Sequence, residues 1–221
     1  MLTVHHLNNS RSQRVLWLLE ELGAPYEIVR YQRQPDMRAP AELRAIHPLG
    51  KSPVMTDNGN TVAESGAIVE YLIDHYGQGR LIPPPKTPER LRYTYWLHYA
   101  EGSAMPPLLL KLLFTIMPKR APALLRPLVR KVSSQALTAL VNPLLKQHMA
   151  FWEAELSKSS WFAGDEFTAA DIQMSFPLEA AAARAGLEQG HPKAMAFLDR
   201  IHARPAYQRA LEKGGPYQVG R

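Results

Sequence analysis

The sequence predicts a small α/β domain followed by an all-helical one. Three observations carry that expectation. Strand and helix patterns alternate through residues 1–79, a stretch with four prolines follows, and no strand-like pattern returns after it. LTVHHL at the N-terminus opens with an apolar and β-branched run and reads as the first strand. From Val15 the apolar residues Val15, Leu18, Leu19 and Leu22 recur at helical spacing, and Gly23 supplies the stop. YEIVRY (26–31) is a second strand, and APAELRAI (39–46) a short helix ended by His47-Pro48. SPVMTDNGNTVAES holds two short β runs around Asp57-Asn58-Gly59-Asn60, a strong hairpin signal. Ser65 then caps a helix with Ile68, Tyr71 and Leu72 on its buried stripe, closing at Gly77. The order is β-α-β-α-β-β-α.

LIPPPKTPE (81–89) favours a stiff extended connector, because proline continues neither helices nor central strands. The expected division is therefore 1–80, a linker at 81–88, and a helical domain at 89–221. In the latter, residues 89–117, 133–157, 169–185, 192–203 and 205–213 read as helices. Pro118, Pro122, Pro127, Pro192 and Pro205 fall near breaks. Pro106, Pro107, Pro143 and Pro177 lie inside helices, where they predict kinks or local breaks.

No apolar run is long enough to span a membrane, and MLTVHHL lacks the form of a secretory signal, so the cytoplasm is the expected location. The 221 residues contain no cysteine. Protein thiolates, thiolate zinc sites and iron–sulfur clusters are thereby excluded, and any reactive sulfur must arrive with a ligand. Six of the eight histidines (His5, His6, His47, His75, His98, His148) show no ligand spacing, and no metal is expected. Residues 1–79 carry 7 Lys/Arg against 9 Asp/Glu, a net of −2, so the rest carries +8 and the whole chain a formal +6. Residues 102–152 contain seven basic residues and no acid. Such a block attracts phosphates, anionic membrane faces or acidic small molecules, or is simply a solvated surface. Between the first and last of these cations, Lys111 and Lys146, the only Phe, Tyr or Trp is Phe114, which argues against nucleic acid.

Three places suggest chemistry. In HLNNSRSQRVLWLLEELG, Asn9, Ser10 and Ser12 crowd the junction between strand and helix. Ser52-Pro53 precedes the third strand. On spacing alone an ordinary trans bond is the better reading, whereas a cis bond would free the Ser52 backbone to pair with a peptide-like ligand. Glu64-Ser65 opens the next helix, and its free N–H groups and hydroxyl suit a carboxylate while Glu64 suits an ammonium.

NNSRSQRVLWLLEELGAPYE, HPLGKSPVMTDNGNTVAESGAIVEYL, the proline linker and WFAGDEFTAADIQMSFPL together resemble the cytosolic glutathione S-transferases over essentially the whole chain. The likeness is to the bacterial and fungal serine-type branch whose first helix opens with SR-x-x-R. It implies a thioredoxin-like N-terminal domain, an all-helical C-terminal bundle and a homodimer. It also implies that Pro53 is cis, that the Ser52 backbone pairs with the cysteinyl unit of glutathione, and that Glu64 and Ser65 hold the γ-glutamyl end. Lys51 would face the glycyl carboxylate.

A hydroxyl stands where redox relatives of that fold carry a cysteine. Donated to the glutathione thiolate, with the helix dipole behind it, a hydrogen bond lowers the thiol's pKa. Ser10 stands four residues before Arg14, as the catalytic serine does in the serine-type relatives this sequence resembles, and is therefore the leading donor. The Asn9 amide can do the same, and Ser12 is a third candidate or the helix N-cap. Thr168 and Asp171 are spaced as a capping box, with Phe167 and Ile172 as a staple. Trp96, Tyr99, Met105, Leu109, Phe114 and Met117 are mostly core, with some lining an apolar pocket for a second substrate.

The expected activity is conjugation of glutathione to electrophilic small molecules, a detoxification chemistry needing no cofactor beyond the co-substrate. The alternatives are a glutathione-dependent peroxidase or disulfide reductase at the same site, and a non-enzymatic binding module.

Overall fold

The computed structural model describes residues 1–34 and 38–217. The first unit runs β1 (Thr3–Leu7), α1 (Ser12–Leu22), β2 (Glu27–Tyr31), α2 (Ala41–Ile46), β3 (Val54–Asp57), β4 (Asn60–Ala63) and α3 (Ser65–Tyr76). The sheet order is β2-β1-β3-β4, with β1 parallel to β2 and antiparallel to β3. Strand alternation divides β1 between two faces. Val4 joins the main core with α1, while Leu7 packs with Ala39 and Leu43 beside α2. The adjacent His5 and His6 likewise meet different partners, Tyr31 and Thr56 for the first and Ser12 for the second. Asn58 and Gly59 both take positive φ (49° and 84°), as the hairpin signal requires.

Seven helices follow among the described residues: α4 (Pro88–Tyr99), α5 (Met105–Arg120), α6 (Arg126–Ala136), α7 (Asn142–Leu156), α8 (Ala169–Arg184), α9 (Pro192–His202) and α10 (Pro205–Gly214). The prolines explain most departures from expectation. The spans 89–117 and 133–157 each contain a π-helical stretch, Ala100–Ala104 and Leu137–Val141. A helical proline offers no N–H to the carbonyl four residues back. The carbonyls so orphaned by Pro106, Pro107 and Pro143 belong to Gly102, Ser103 and Ala139, which all lie inside the π stretches. Widening the helix there accommodates the defect without a break.

The start of α6, residues 126–132, was not expected, because Pro122 and Pro127 mark breaks; Pro127 instead occupies its first turn, where a missing N–H costs nothing. Helix α5 continues past Pro118 to Arg120. Pro177 does not break α8 either, and what becomes of its orphaned carbonyl matters below.

The second unit is built around an aromatic cluster in which Trp96 and Phe197 both meet Phe162. Trp96, Tyr99 and Met105 are buried as expected, but Leu109 and Met117 are 51% and 43% exposed. Helix α10 closes over α1. Glu20 accepts from Tyr26, Arg209 and Lys213, and Glu21 from Arg204. Burial alone would raise the Glu20 pKa, but Lys213, Tyr26 and Arg209 outweigh it and hold it below its ordinary value. No helix among the described residues is long and apolar enough to cross a membrane.

The capping box is present. Asp171 accepts from the Thr168 N–H (2.8 Å), the Thr168 hydroxyl (3.0 Å) and the Phe162 N–H (2.8 Å). Burial pushes its carboxyl up to about 6 despite these bonds. Asp171→Ala strands two buried N–H groups, each costing about 1–3 kcal/mol. Urea unfolding should therefore show a loss of about 3 kcal/mol or more; a loss under 1 kcal/mol would contradict this.

Candidate active site

The β1–α1 junction gathers four polar side chains. The Ser10 and Ser12 hydroxyls lie 2.8 Å apart, Ser10 is 3.0 Å from the Ser52 hydroxyl, and Ser12 is 2.8 Å from His6 Nδ1. The Ser12 N–H donates to the Ser10 hydroxyl at 3.2 Å, so Ser10 tethers the start of α1 and keeps its own proton to give. Helix α1 thus begins at Ser12 itself, with Arg11 at the cap position, and Ser12 is not the N-cap. Ser12 is fully buried and Ser10 nearly so. Asn9 is exposed and holds a left-handed φ of 50°. The His6 imidazole is pulled down to about 4, first by burial and then by the Arg30 charge, so it is neutral at physiological pH. The chain of hydroxyls ends on an uncharged base.

The Ser52–Pro53 bond is cis. Across the crevice, α3 begins at Ser65, with Glu64 in the cap position at a φ of 70° and ψ of 127°. Ser65 is therefore not the N-cap that the sequence suggested. The first ladder bond runs from the Ile68 N–H to the Glu64 carbonyl, so the N–H groups of residues 65–67 precede the ladder. The Ser65 hydroxyl accepts instead from Arg14, at 3.1 Å.

Arg14 joins the two domains. Its guanidinium is buried and donates to three acceptors: the Ser65 hydroxyl, the Glu101 carboxylate and, at 2.6 Å, the Gln173 carbonyl. Gln173 is four residues before Pro177, so its carbonyl is the one that proline leaves unserved. Arg14 fills the vacancy. Burial pulls its pKa below the ordinary value, against the opposing pull of Glu101. Glu101 also holds Arg11 (3.2 Å), and both guanidiniums lie over the Phe176 ring. Glu101 reaches the site from the π-helical stretch between α4 and α5.

The crevice between these groups has a volume of about 740 Å³. Lys51, Ser52, Pro53, Glu64 and Ser65 all line it. Ser10 does not; its hydroxyl stands one hydrogen bond behind that of Ser52. Arg11, Arg33, Arg38 and Arg44 join Lys51 on the walls, which places five of the seven basic residues of 1–79 around one cleft. Only Glu64 and Glu101 oppose them there. A domain of net charge −2 thus carries a locally positive site, which residue counting over the whole domain hides. Leu109 of α5 adds an apolar side chain to the same cleft.

This arrangement has counterparts. The family model for the glutathione S-transferase N-terminal domain matches residues 1–74, and that for the C-terminal domain matches residues 116–205. Glutathione S-transferase 3 of Schizosaccharomyces pombe is 35% identical over 213 residues, covering 96% of this chain and 88% of the relative. The chain belongs to the glutathione S-transferase family. Among solved structures, a glutathione S-transferase from Actinobacillus pleuropneumoniae superposes with a TM-score of 0.81 at 33% identity, covering 97% of this chain and 93% of that one. A sphingomonad glutathione S-transferase solved in complex with glutathione gives a TM-score of 0.73 at 25% identity, covering 96% and 98%. The fold is accordingly that of the glutathione S-transferases, a thioredoxin-like domain with a mixed four-stranded sheet and an all-helical second domain.

Within this glutathione S-transferase crevice, sequence reasoning missed Glu101, the anchoring role of Arg14, and the cations Arg33, Arg38 and Arg44. One signal was available for Arg14. A proline inside an otherwise regular helical pattern announces a free carbonyl, and only a long donor from elsewhere in the chain reaches it once buried.

Proposed function

We propose that this chain is a transferase that binds glutathione along the crevice and activates its thiol for conjugation to small electrophiles. The observation that supports this most is the cysteine-free hydroxyl cluster at the start of α1, set against a crevice rich in cations. Glutathione brings the sulfur that the chain lacks and two carboxylates that match the positive walls. Ser52 pairs with its cysteinyl backbone, Lys51 faces the glycyl carboxylate, and Glu64 takes the γ-glutamyl ammonium. Ser65 and the free N–H groups of α3 receive the γ-glutamyl carboxylate. Because Ser65 already accepts from Arg14, its own proton is free to donate outward.

Activation needs one proton to turn. When thiolate arrives, the Ser10 hydroxyl swings its donation to the sulfur, either directly or through the Ser52 hydroxyl 3.0 Å away. The acceptor lies beside Leu109, at the end of an exposed apolar stripe on α5 that continues through Leu113 and Met117. We further infer a homodimer, as the family resemblance implies; Leu91, Leu124, Leu128 and Leu140, 62–91% exposed, are apolar side chains that a partner subunit could cover.

Glutathione at 100 times its Kd contributes about 2.7 kcal/mol to stability, a rise in Tm of about 5–10 °C. Product analysis completes the test. A thioether product with a model electrophile supports conjugation. Release of oxidised glutathione instead assigns the peroxidase or disulfide-reductase reaction, and an unmoved Tm assigns a binding module that does not use glutathione.

A further inference from the structure

The crevice carries more positive charge than glutathione neutralises. Among the described residues, five cations line it against two carboxylates. Glutathione as its thiolate holds two carboxylates, one ammonium and one sulfur anion, so the loaded crevice stays positive. The cations also divide by position. The Arg44 side chain runs against Gly50, beside Lys51, at the end assigned to the glycyl carboxylate. Arg11 and Arg33 instead flank the hydroxyl cluster. Arg11 follows Ser10 directly in the chain. The Arg33 backbone N–H donates to the Asn8 side chain at 2.8 Å, and its guanidinium lies 3.5 Å from the Asn9 carbonyl. The turn between β1 and α1 thus holds both arginines on the crevice wall.

These two guanidiniums feel each other. Burial pulls the Arg33 pKa below its ordinary value, and the Arg11 charge pulls it further. An anion set against both relieves the repulsion and accepts charge-assisted hydrogen bonds from half-buried donors. Glu101 meets only part of that demand, because it divides one charge between Arg11 and the buried Arg14. An acceptor that is apolar throughout would leave the pair unrelieved. Leu109 of α5, 51% exposed, faces the same cleft and supplies a contact for an apolar body.

We propose that the electrophile taken by this crevice is an organic anion, an apolar body bearing a carboxylate or sulfonate that Arg11 and Arg33 receive beside the sulfur. The inference rests on the glutathione reading above and adds the acceptor's charge to it. Planar guanidiniums suit the task, since their forked donors match a carboxylate's two oxygens. Arg11 and Arg33 select among acceptors before any bond to sulfur forms, and the apolar body lies on Leu109.

The test compares two ligands by calorimetric titration of the full chain, S-benzylglutathione and S-(4-carboxybenzyl)glutathione, which differ by one carboxylate at the acceptor end. Wild type is expected to bind the carboxylate form about tenfold more tightly, with the gap narrowing as salt rises. Arg33→Gln and Arg11→Gln are each expected to cut that preference by about threefold, and together to bring the two affinities level. The tripeptide is common to both ligands, so their ratio cancels any effect of a substitution on glutathione binding itself. Arg44→Gln should weaken both ligands alike. Equal affinities in wild type, or a preference that survives the double substitution, would overturn the inference while leaving glutathione binding intact. Failure of wild type to bind either ligand would overturn the glutathione reading and this inference with it.

Discussion

Replacing Arg14 by methionine is expected to remove about 3–5 kcal/mol of folding stability, the cost of breaking a buried ion pair by deleting one partner. The deletion has three consequences at once. Glu101 loses its closest cation, the Gln173 carbonyl beneath Pro177 loses the guanidinium that substitutes for the missing N–H, and the Ser65 hydroxyl loses the bond that turns its proton outward. The last reaches function, so glutathione should also bind about tenfold more weakly, equivalent to about 1.4 kcal/mol. Lysine should rescue little, because one ammonium on a flexible stem cannot serve three divergent acceptors as a planar guanidinium does. Urea unfolding reads the first effect and calorimetric titration with glutathione the second. Wild-type stability in Arg14→Met would show that the two domains are held together elsewhere, chiefly by α1 and α10.

Ser10→Ala should lower the conjugation rate at pH 7 by about 10–100-fold, corresponding to a thiol pKa raised by one to two units. Affinity for glutathione should change little, since Ser10 is a buried group behind the crevice lining and not part of its wall. The sign of the pH dependence follows. Removing a donor to the thiolate disfavours the ionised form, so the deficit is greatest at neutral pH and closes above the free thiol's pKa, about 8.5. A merely structural role for Ser10 would lower the rate at every pH alike. Ser12→Ala should give a smaller effect of the same shape, because Ser12 acts only through Ser10 and is itself fully buried. A full rate in Ser10→Ala would pass the role to the Ser52 hydroxyl.

Local chemistry was the legible part of this chain. Asn58-Gly59 dictated its turn, Thr168 and Asp171 their capping box, and the alternation of strand and helix patterns the first domain's order, each within a window of a few residues. The misses are long-range or proline-related. Arg14 and Gln173 are separated by 159 positions, and nothing near either residue names the other. Arg33, Arg38 and Arg44 fall within twelve residues of one another, but Arg11 and Lys51 join them in a single field only once the chain folds. The start of α6 was hidden because proline reads as a breaker while its first-turn tolerance depends on where the helix happens to start. Ser65 has the residue type of a helix cap, and its sequence position fits one. What cannot be read locally is that a buried guanidinium claims its hydroxyl.

The pH titration of thiolate ultraviolet absorbance from bound glutathione tests most directly whether a neutral hydroxyl cluster at the start of α1 activates a borrowed sulfur. With wild-type protein the midpoint should fall at least about one unit below the free value near 8.5, and Ser10→Ala should move it back up. A bound thiol that titrates at its free value in the wild-type protein would contradict that chemistry outright.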